Sequence, residues 1–464
     1  MLPDYLVDTR IGIIGFGINN RELTKWLQKH GASEIVVYDQ NPEIAKTLFE
    51  LNFSGVEIVQ GQDAFTKIDV EVAFRSPGIA LHDPQIAAAI KRGVRFSSQT
   101  ELFLELCPAQ TVGVTGTKGK TTTSTLIDLI LSEHSKVVGS KTYLAGNIGS
   151  DPFVFLDDLS PNDFVVLELS SFQLDQIRQS PHVAVVLDIS VDHLDYHPDV
   201  EHYRQAKQGI TQSQTENDYV VINLNSSTAV DLASSTQAQK VYFSNNESVD
   251  FGSGVIDGGI YWYQGHQAEQ VLKVNDIKLR GQHNLDNVLA AIAACKLFKV
   301  DSVLIKEVVR GFTGYPQRLE KIVQRNGVSW YNDSASTNPI TTIAAVKSFL
   351  EPMIVIVGGS SKNADFNQLG AELAAVNIKA LITIGETGPE ISLAAQSHHF
   401  PGDKIVAAKT LPIAIDQAYE LSDPGDVVVL SPASASFDQF PNAKARGRQF
   451  NQLVFEKLGL DVAK

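Results

Sequence analysis

The 464-residue sequence predicts an α/β protein of three units in tandem. Three observations carry that expectation. Short continuous apolar runs, the pattern of strands buried on both faces, alternate with stretches long enough for helices. Glycine-rich turns follow two of those runs, in GFGINN and in GTKGKTTT. The length exceeds what one core usually organises and suggests about three domains. The expected boundaries are 1–107, 108–314 and 315–464.

In the first unit, IGIIGFG reads as a buried strand that ends in glycines. NRELTKWLQKHG follows as a helix, with Leu23, Trp26 and Leu27 on one face and a stop at Gly31. EIVVYDQ, VEIVQG and VEVAFRSPG continue a parallel sheet. The second unit opens with strand TVGVT, the loop GTKGKT and a helix carrying Leu126, Ile127 and Ile130. FVVLEL, VAVVLDI and YVVINL read as further strands of that sheet. Between about Lys240 and Gly281, short alternating segments with turn residues predict a small antiparallel sheet attached to this unit. NLDNVLAAIAACKLF returns to helix. From near Tyr315 the runs VSWYND, MIVIVGG, ALITIG, KIVAAK and DVVVLSP predict another open α/β sheet.

Composition narrows the function. Hydrophobic residues at 43% supply several cores, yet no run approaches the roughly 20 apolar residues of a membrane span. A net charge of −15 opposes binding to nucleic acid or an anionic membrane, so any anionic ligand needs a local concentration of Lys and Arg. Cys107 and Cys295 are far apart and lack metal-ligand spacing, which predicts two reduced thiols. The N-terminus has no signal-peptide pattern, so a cytoplasmic location is expected, and separately the chain is expected to be a monomer.

The loop after TVGVT departs from the strict Walker pattern, because Val114 stands where that pattern has glycine. Its chemistry survives the departure. Gly116, Thr117, Lys118 and Gly119 lie between a strand and a helix that begins near Lys120, Thr121 and Thr122. Backbone amides and the positive helix end there can surround phosphate oxygens. Lys120 would neutralise terminal phosphates, and the Thr121 hydroxyl could ligate Mg²⁺. Glu168 ends a downstream strand and supplies a carboxylate. Asp192, His193, Asp195 and Lys207 follow another strand end and its helix.

Together with AGNIG, LELSSFQL, DHLD, YRQAK, GQHNLDN, YPQRLE, NDS and SPASASFDQF, in that order, this loop resembles the Mur ligase family over nearly the whole chain. The resemblance implies Rossmann-like N- and C-terminal domains around a central P-loop ATPase-type domain. It also implies an ATP-dependent, amide-forming enzyme of peptidoglycan precursor synthesis that adds D-glutamate to UDP-N-acetylmuramoyl-L-alanine through an acyl phosphate. Under it, Lys120, Thr121, Asn284, Asn287, Arg318 and Asp333 contact ATP, and Thr121, Glu168, His193 and Lys207 serve two Mg²⁺ ions. Lys207 would act as a carbamate, which forms only on an unprotonated amine. Gly17, Asn19, Asp39, Ser76, Gly78 and Asn147 would hold the UDP substrate, and Thr337, Lys362, Ser436 and Phe437 the glutamate. Asn20 replaces the third glycine of a dinucleotide fingerprint, and NAD is not required.

The third unit departs from the family pattern at three places. Ala335 stands where lysine is usual, Gln317 where histidine is usual, and Ala443 where phenylalanine is usual. These positions leave open a ligase for L-glutamate or another amino acid, acting on a muropeptide or a folate-like acceptor. A third alternative is a non-catalytic nucleotide-binding protein on the same scaffold.

Overall fold

The computed structural model describes residues 2–190, 196–361 and 364–460. Three sheets lie in two compact units, Met1–Asp276 with Asp286–Val309, and Ile277–Leu285 with Arg310–Lys464.

The first sheet consists of β1 (Arg10–Ile14), β2 (Glu34–Asp39), β3 (Glu57–Gln60), β4 (Val72–Arg75) and β5 (Arg95–Ser98). All are parallel, in the order β3-β2-β1-β4-β5. The direction of winding reverses at β1, which opens a crevice beyond the carboxyl ends of β1 and β4. Gly15 leaves β1 with φ +75°, and a Cβ there would lie 2.6 Å from Ile79 Cδ1. Asn20 is fully buried, and its Nδ2 donates to Gly15 O at 2.8 Å and Ser76 Oγ at 3.2 Å. An amide thus secures the turn where the dinucleotide fingerprint has its third glycine.

The second sheet contains β6 (Gln110–Thr115), β7 (Thr142–Gly146), β8 (Phe164–Glu168), β9 (Val183–Val186), β10 (Tyr219–Asn223), β11 (Gln239–Ser244), β12 (Phe251–Ile256), β13 (Gly259–Gln264) and β14 (Gln267–Lys273). Its order is β14-β13-β12-β11-β10-β9-β6-β8-β7. The expected small antiparallel sheet is therefore an extension of the main one. β12 pairs with β11 in parallel, and β13 alone runs against the sheet, antiparallel to both β12 and β14. Helix Lys120–Val138 follows β6, buries Leu126, Ile127, Ile130 and Leu131 completely, and ends at Gly139 with φ +77°.

The first two sheets form one unit because they share a core. Trp26 and Phe103 of the N-terminal segment pack edge-on against Phe153, at ring separations of 5.4 and 6.3 Å. Asp157 Oδ1 accepts Trp26 Nε1–H at 2.9 Å, so the indole's polar end is satisfied at the same seam.

The second unit carries β15 (Glu320–Arg325), β16 (Val328–Asn332), β17 (Met353–Gly358), β18 (Ile378–Ile384), β19 (Ile405–Lys409) and β20 (Val427–Leu430). Their order is β15-β16-β20-β17-β18-β19. The five expected strands are present, and β15 joins antiparallel to β16 as a sixth. No helix among the described residues is long and apolar enough to cross a membrane.

Gly146, which ends β7, has φ +93°, and a Cβ there would collide with the Glu168 carbonyl. Gly258 has φ +73° but open space around its missing Cβ. Gly146→Ala is expected to cost on the order of 2–3 kcal/mol in urea denaturation, and Gly258→Ala about 1 kcal/mol from backbone conformation alone.

Candidate active site

The loop after β6 is fastened to the end of β9 and to helix Val200–Gln208. Thr117 N–H donates to Asp188 O at 2.8 Å, Ser190 N–H donates to Thr117 Oγ1 at 2.9 Å, and the Tyr203 hydroxyl lies 3.0 Å from the same Oγ1. Gly119 begins the helix at φ +84°, where a Cβ would meet Asn287 Oδ1 and stand 3.1 Å from Leu187 Cδ1. Thr121 and Thr122 are buried in the first helical turn, whereas Lys118 is exposed. Lys120 Nζ donates to Gly116 O at 3.0 Å and Thr117 O at 3.1 Å.

Lys207 reaches the same carbonyl from the other side. It is almost wholly buried near the end of helix Val200–Gln208, and its Nζ donates to Gly116 O at 2.9 Å with Thr115 Oγ1 at 3.4 Å. The Tyr203 ring lies beneath that ammonium at 4.9 Å. Glu168 stands beside β6, in register with Val114. Its Oε1 accepts Asn147 Nδ2–H at 3.2 Å, and Asn147 N–H donates to Glu168 O at 2.8 Å. Glu168 Oε2 is buried and has no hydrogen-bond partner among the described residues. His193, Asp192 and Asp195 lie outside the described residues.

A cradle closed by Gly119, a lysine pair and an unpartnered carboxylate oxygen make a donor set that suits a magnesium nucleotide. Asn287 faces the loop, since its Oδ1 accepts Thr123 Oγ1–H at 3.2 Å.

The N-terminal candidates gather at the carboxyl edge of the first sheet. Asp39 Oδ2 accepts Phe16 N–H at 2.7 Å and Oδ1 accepts Asn41 N–H at 2.8 Å, so this carboxylate also shapes its own turns. Ser76 Oγ donates to Gly15 O at 2.7 Å and would lie 3.3 Å from a Cβ on Gly17. Gly78 is exposed with open space around it. Asn19 Nδ2 donates to Gln99 Oε1 at 3.2 Å.

In the second unit, Asp333 follows β16, fully enclosed, and accepts Ser431 Oγ–H at 2.7 Å and Leu319 N–H at 3.1 Å. Burial pushes its carboxyl up to about 6, against the lowering effect of those bonds and of the nearby Arg318 charge. Arg318 is exposed, and Asn284 Nδ2 donates to Arg280 O at 2.6 Å. Ser436 Oγ is buried with no hydrogen-bond partner, Phe437 is exposed while its N–H donates to Ser360 Oγ at 3.0 Å, and Thr337 is half-buried. Lys362 lies outside the described residues.

The three departures from the family pattern are neighbours. Ala335 N–H donates to Gln317 O at 3.1 Å, Gln317 Nε2 donates to Lys444 O at 3.0 Å, and Ser334 Oγ donates to Ala443 O at 2.8 Å.

Residues 114–295 match the Mur ligase middle domain, and residues 317–434 match the Mur ligase glutamate ligase domain. A UDP-N-acetylmuramoylalanine–D-glutamate ligase of Symbiobacterium thermophilum is 37% identical over 450 residues, covering 96% of this chain and 97% of the relative. The chain belongs to the Mur ligase family. A ligase of the same description from Acetivibrio thermocellus is 36% identical over 453 residues, with 96% of each chain covered. Among solved structures, MurF from Acinetobacter baumannii aligns with TM-score 0.59 at 17% identity, covering 92% of this chain and 86% of that one. The Thermotoga maritima MurF ligase in complex with ADP aligns with TM-score 0.57 at 17% identity, covering 99% of each chain. These two likenesses show that the chain has the Mur ligase fold.

Sequence reasoning passed over two side chains of this Mur ligase site. Tyr203 holds Thr117 and underlies Lys207, and its spacing of four residues from Lys207 already places both on one helical face. Arg446 is buried and donates to Ser334 Oγ, Ser334 O, Ser434 O and Ala435 O, pinning the two loops that carry Thr337 and Ser436. Nothing in its local sequence signals that role.

Asp333 gives a pH test. Its folded value lies above that of an unfolded aspartate, so the stabilisation is fully present below about pH 4 and is lost as pH rises through about 6. Asp333→Asn is expected to remove this share of the slope. Relative to wild type, the variant should gain up to about 3 kcal/mol between about pH 4 and about pH 7 in urea denaturation.

Proposed function

We propose that this chain is an ATP-dependent ligase that joins D-glutamate to UDP-N-acetylmuramoyl-L-alanine during peptidoglycan precursor synthesis. The observation that carries this reading is the pairing of a phosphate loop and an unpartnered Glu168 carboxylate with near full-length relatives described as ligases of that reaction. Residues 1–107 would hold the UDP substrate, 108–314 the nucleotide, and 315–464 the amino acid.

A carboxylate does not accept an amine at neutral pH. Magnesium ATP supplies the phosphoryl group that converts the alanine carboxylate to an acyl phosphate, which the glutamate amine then attacks. The chain's own work is positioning and charge neutralisation, and it needs no protein nucleophile. Lys120 brings a positive charge to the mouth of the loop, and the amides around Gly119 orient phosphate oxygens. Thr121 and Glu168 would hold the metal, with His193 joining them. Asn147, bonded to Glu168 by both side chain and backbone, links that carboxylate to the UDP-substrate side. Arg318 would approach the phosphates, Asn284 and Asn287 the adenine, and Asp333 the ribose.

Lys207 acts as a carbamate in this reading. Its ammonium and that of Lys120 both reach Gly116 O, which keeps them within about 6 Å of each other. Two positive charges at that distance repel by about 3 kcal/mol at an effective dielectric constant of about 20. Converting one amine to a carbamate replaces repulsion with attraction and adds a second oxygen ligand for metal.

The test is turnover with UDP-N-acetylmuramoyl-L-alanine, magnesium ATP and each glutamate enantiomer, read by phosphate release and product mass. Product is expected with D-glutamate alone. Product with L-glutamate would support the neighbouring ligase class, which the grouping of Gln317, Ala335 and Ala443 motivates, and no turnover would indicate a binding protein. Lys120→Ala is expected to lower kcat by about 10²-fold or more. Lys207→Ala should lose activity and regain part of it with added acetate or formate, whereas unchanged activity without Lys207 would refute the carbamate role.

A further inference from the structure

Arg75, the last residue of β4, is a buried cation with no part in the chemistry above. Only 3% of its side chain is exposed. Its guanidinium is spread over two backbone segments and one side-chain hydroxyl. Nη1 donates to Pro77 O at 3.3 Å and Ile79 O at 3.0 Å, inside the loop that carries Ser76 and Gly78, and to the Tyr196 hydroxyl at 3.4 Å. Nη2 donates to Asp175 O at 2.9 Å and Phe172 O at 3.4 Å, in the turn that follows Glu168. The two NH2 groups of one planar fork reach both segments at once, with Nη1 sharing its two hydrogens among three acceptors, and a lysine's single nitrogen cannot span them.

The far side of that turn leads to the phosphate loop. The buried Asp175 carboxylate lies 3.8 Å from the guanidinium and 3.9 Å from His202 Nε2. His202 Nδ1 faces His197 Nδ1 at 3.0 Å, and His197 Nε2 lies 2.9 Å from Ser171 Oγ. Two ring nitrogens at that distance require one to donate and the other to accept, so the tautomers of the pair are ordered. The His197 ring packs 5.3 Å from Tyr203, whose hydroxyl meets Thr117. A series of hydrogen bonds, ion pairs and the His197–Tyr203 ring contact therefore joins the loop at residues 76–79 to the loop beneath Lys120 and Lys207.

We infer that Arg75 is a positioning residue for the UDP substrate, holding the loop at residues 76–79 in register with the Glu168 turn so that the substrate carboxylate meets the transferred phosphoryl group. This rests on the reading that the same loop contacts the UDP substrate. The distinguishing readout is the split between Michaelis constants. Loss of folded protein lowers kcat and leaves both KM values alone, whereas a mispositioned loop raises one of them.

Arg75→Met keeps length and removes the donors. It is expected to raise KM for UDP-N-acetylmuramoyl-L-alanine about 10-fold or more while KM for magnesium ATP stays within about 2-fold. Arg75→Lys, the gentler variant should Arg75→Met not fold, keeps the charge beside Asp175 and is expected to show an intermediate rise. Ser76→Ala separates the two layers of the argument. A raised UDP-substrate KM in Ser76→Ala with unchanged KM in both Arg75 variants overturns the positioning role. Unchanged UDP-substrate KM in all three overturns the loop assignment as well. A fall in kcat with both KM values unchanged in the Arg75 variants also overturns the inference.

Discussion

Two lysine ammonium groups share one backbone carbonyl, that of Gly116, and much of the first unit serves to keep them there. Lys120 arrives from the helix that begins at the loop, and Lys207 from a helix more than eighty residues later in the chain. Such a concentration of positive charge in a protein of net charge −15 has a natural complement in an anionic ligand. Glu168 stands one strand away, with one oxygen paired to Asn147 and the other unpartnered among the described residues, and in the proposed function it would hold a metal ion.

The architecture follows from that requirement. Strands β7, β8, β6 and β9 are parallel neighbours, so their carboxyl ends place Asn147, Glu168, Gly116 and Asp188 along one edge. The shared core around Trp26, Phe103 and Phe153 makes the first sheet a fixed extension of the second. Arg75 and the two histidines lie along a second set of contacts within the same unit. The second unit repeats the plan on its own sheet, where Asp333 follows β16, Ser360 follows β17 and Ser436 lies in the loop after β20.

Sequence patterns revealed the parts of this design that are local. Continuous apolar runs such as VAVVLDI mark strands covered on both faces, and a strand–glycine–lysine–helix order marks the phosphate loop even with Val114 in the wrong place. What escaped is non-local or weakly apolar. β5 is short, β15 is largely polar, and β7 lies partly inside a motif noted for its asparagine. The parallel pairing of β11 with β12 depends on chain geometry that alternation does not encode. Arg75 reads as an ordinary residue before SPGIA, because the atoms that give it meaning lie about a hundred positions away. The grouping of Gln317, Ala335 and Ala443 is invisible for the same reason, since three separate departures become one patch only after folding.

In the proposed reaction, the loop at Gly116 activates a carboxylate by phosphoryl transfer. The most direct measurement follows oxygen. UDP-N-acetylmuramoyl-L-alanine carrying heavy oxygen in its alanine carboxylate is turned over with unlabelled ATP and D-glutamate, and the released phosphate is analysed by mass. One heavy oxygen is expected in each phosphate, carried over when the acyl phosphate collapses to the amide. Phosphate that contains only light oxygen while amide product accumulates would contradict it.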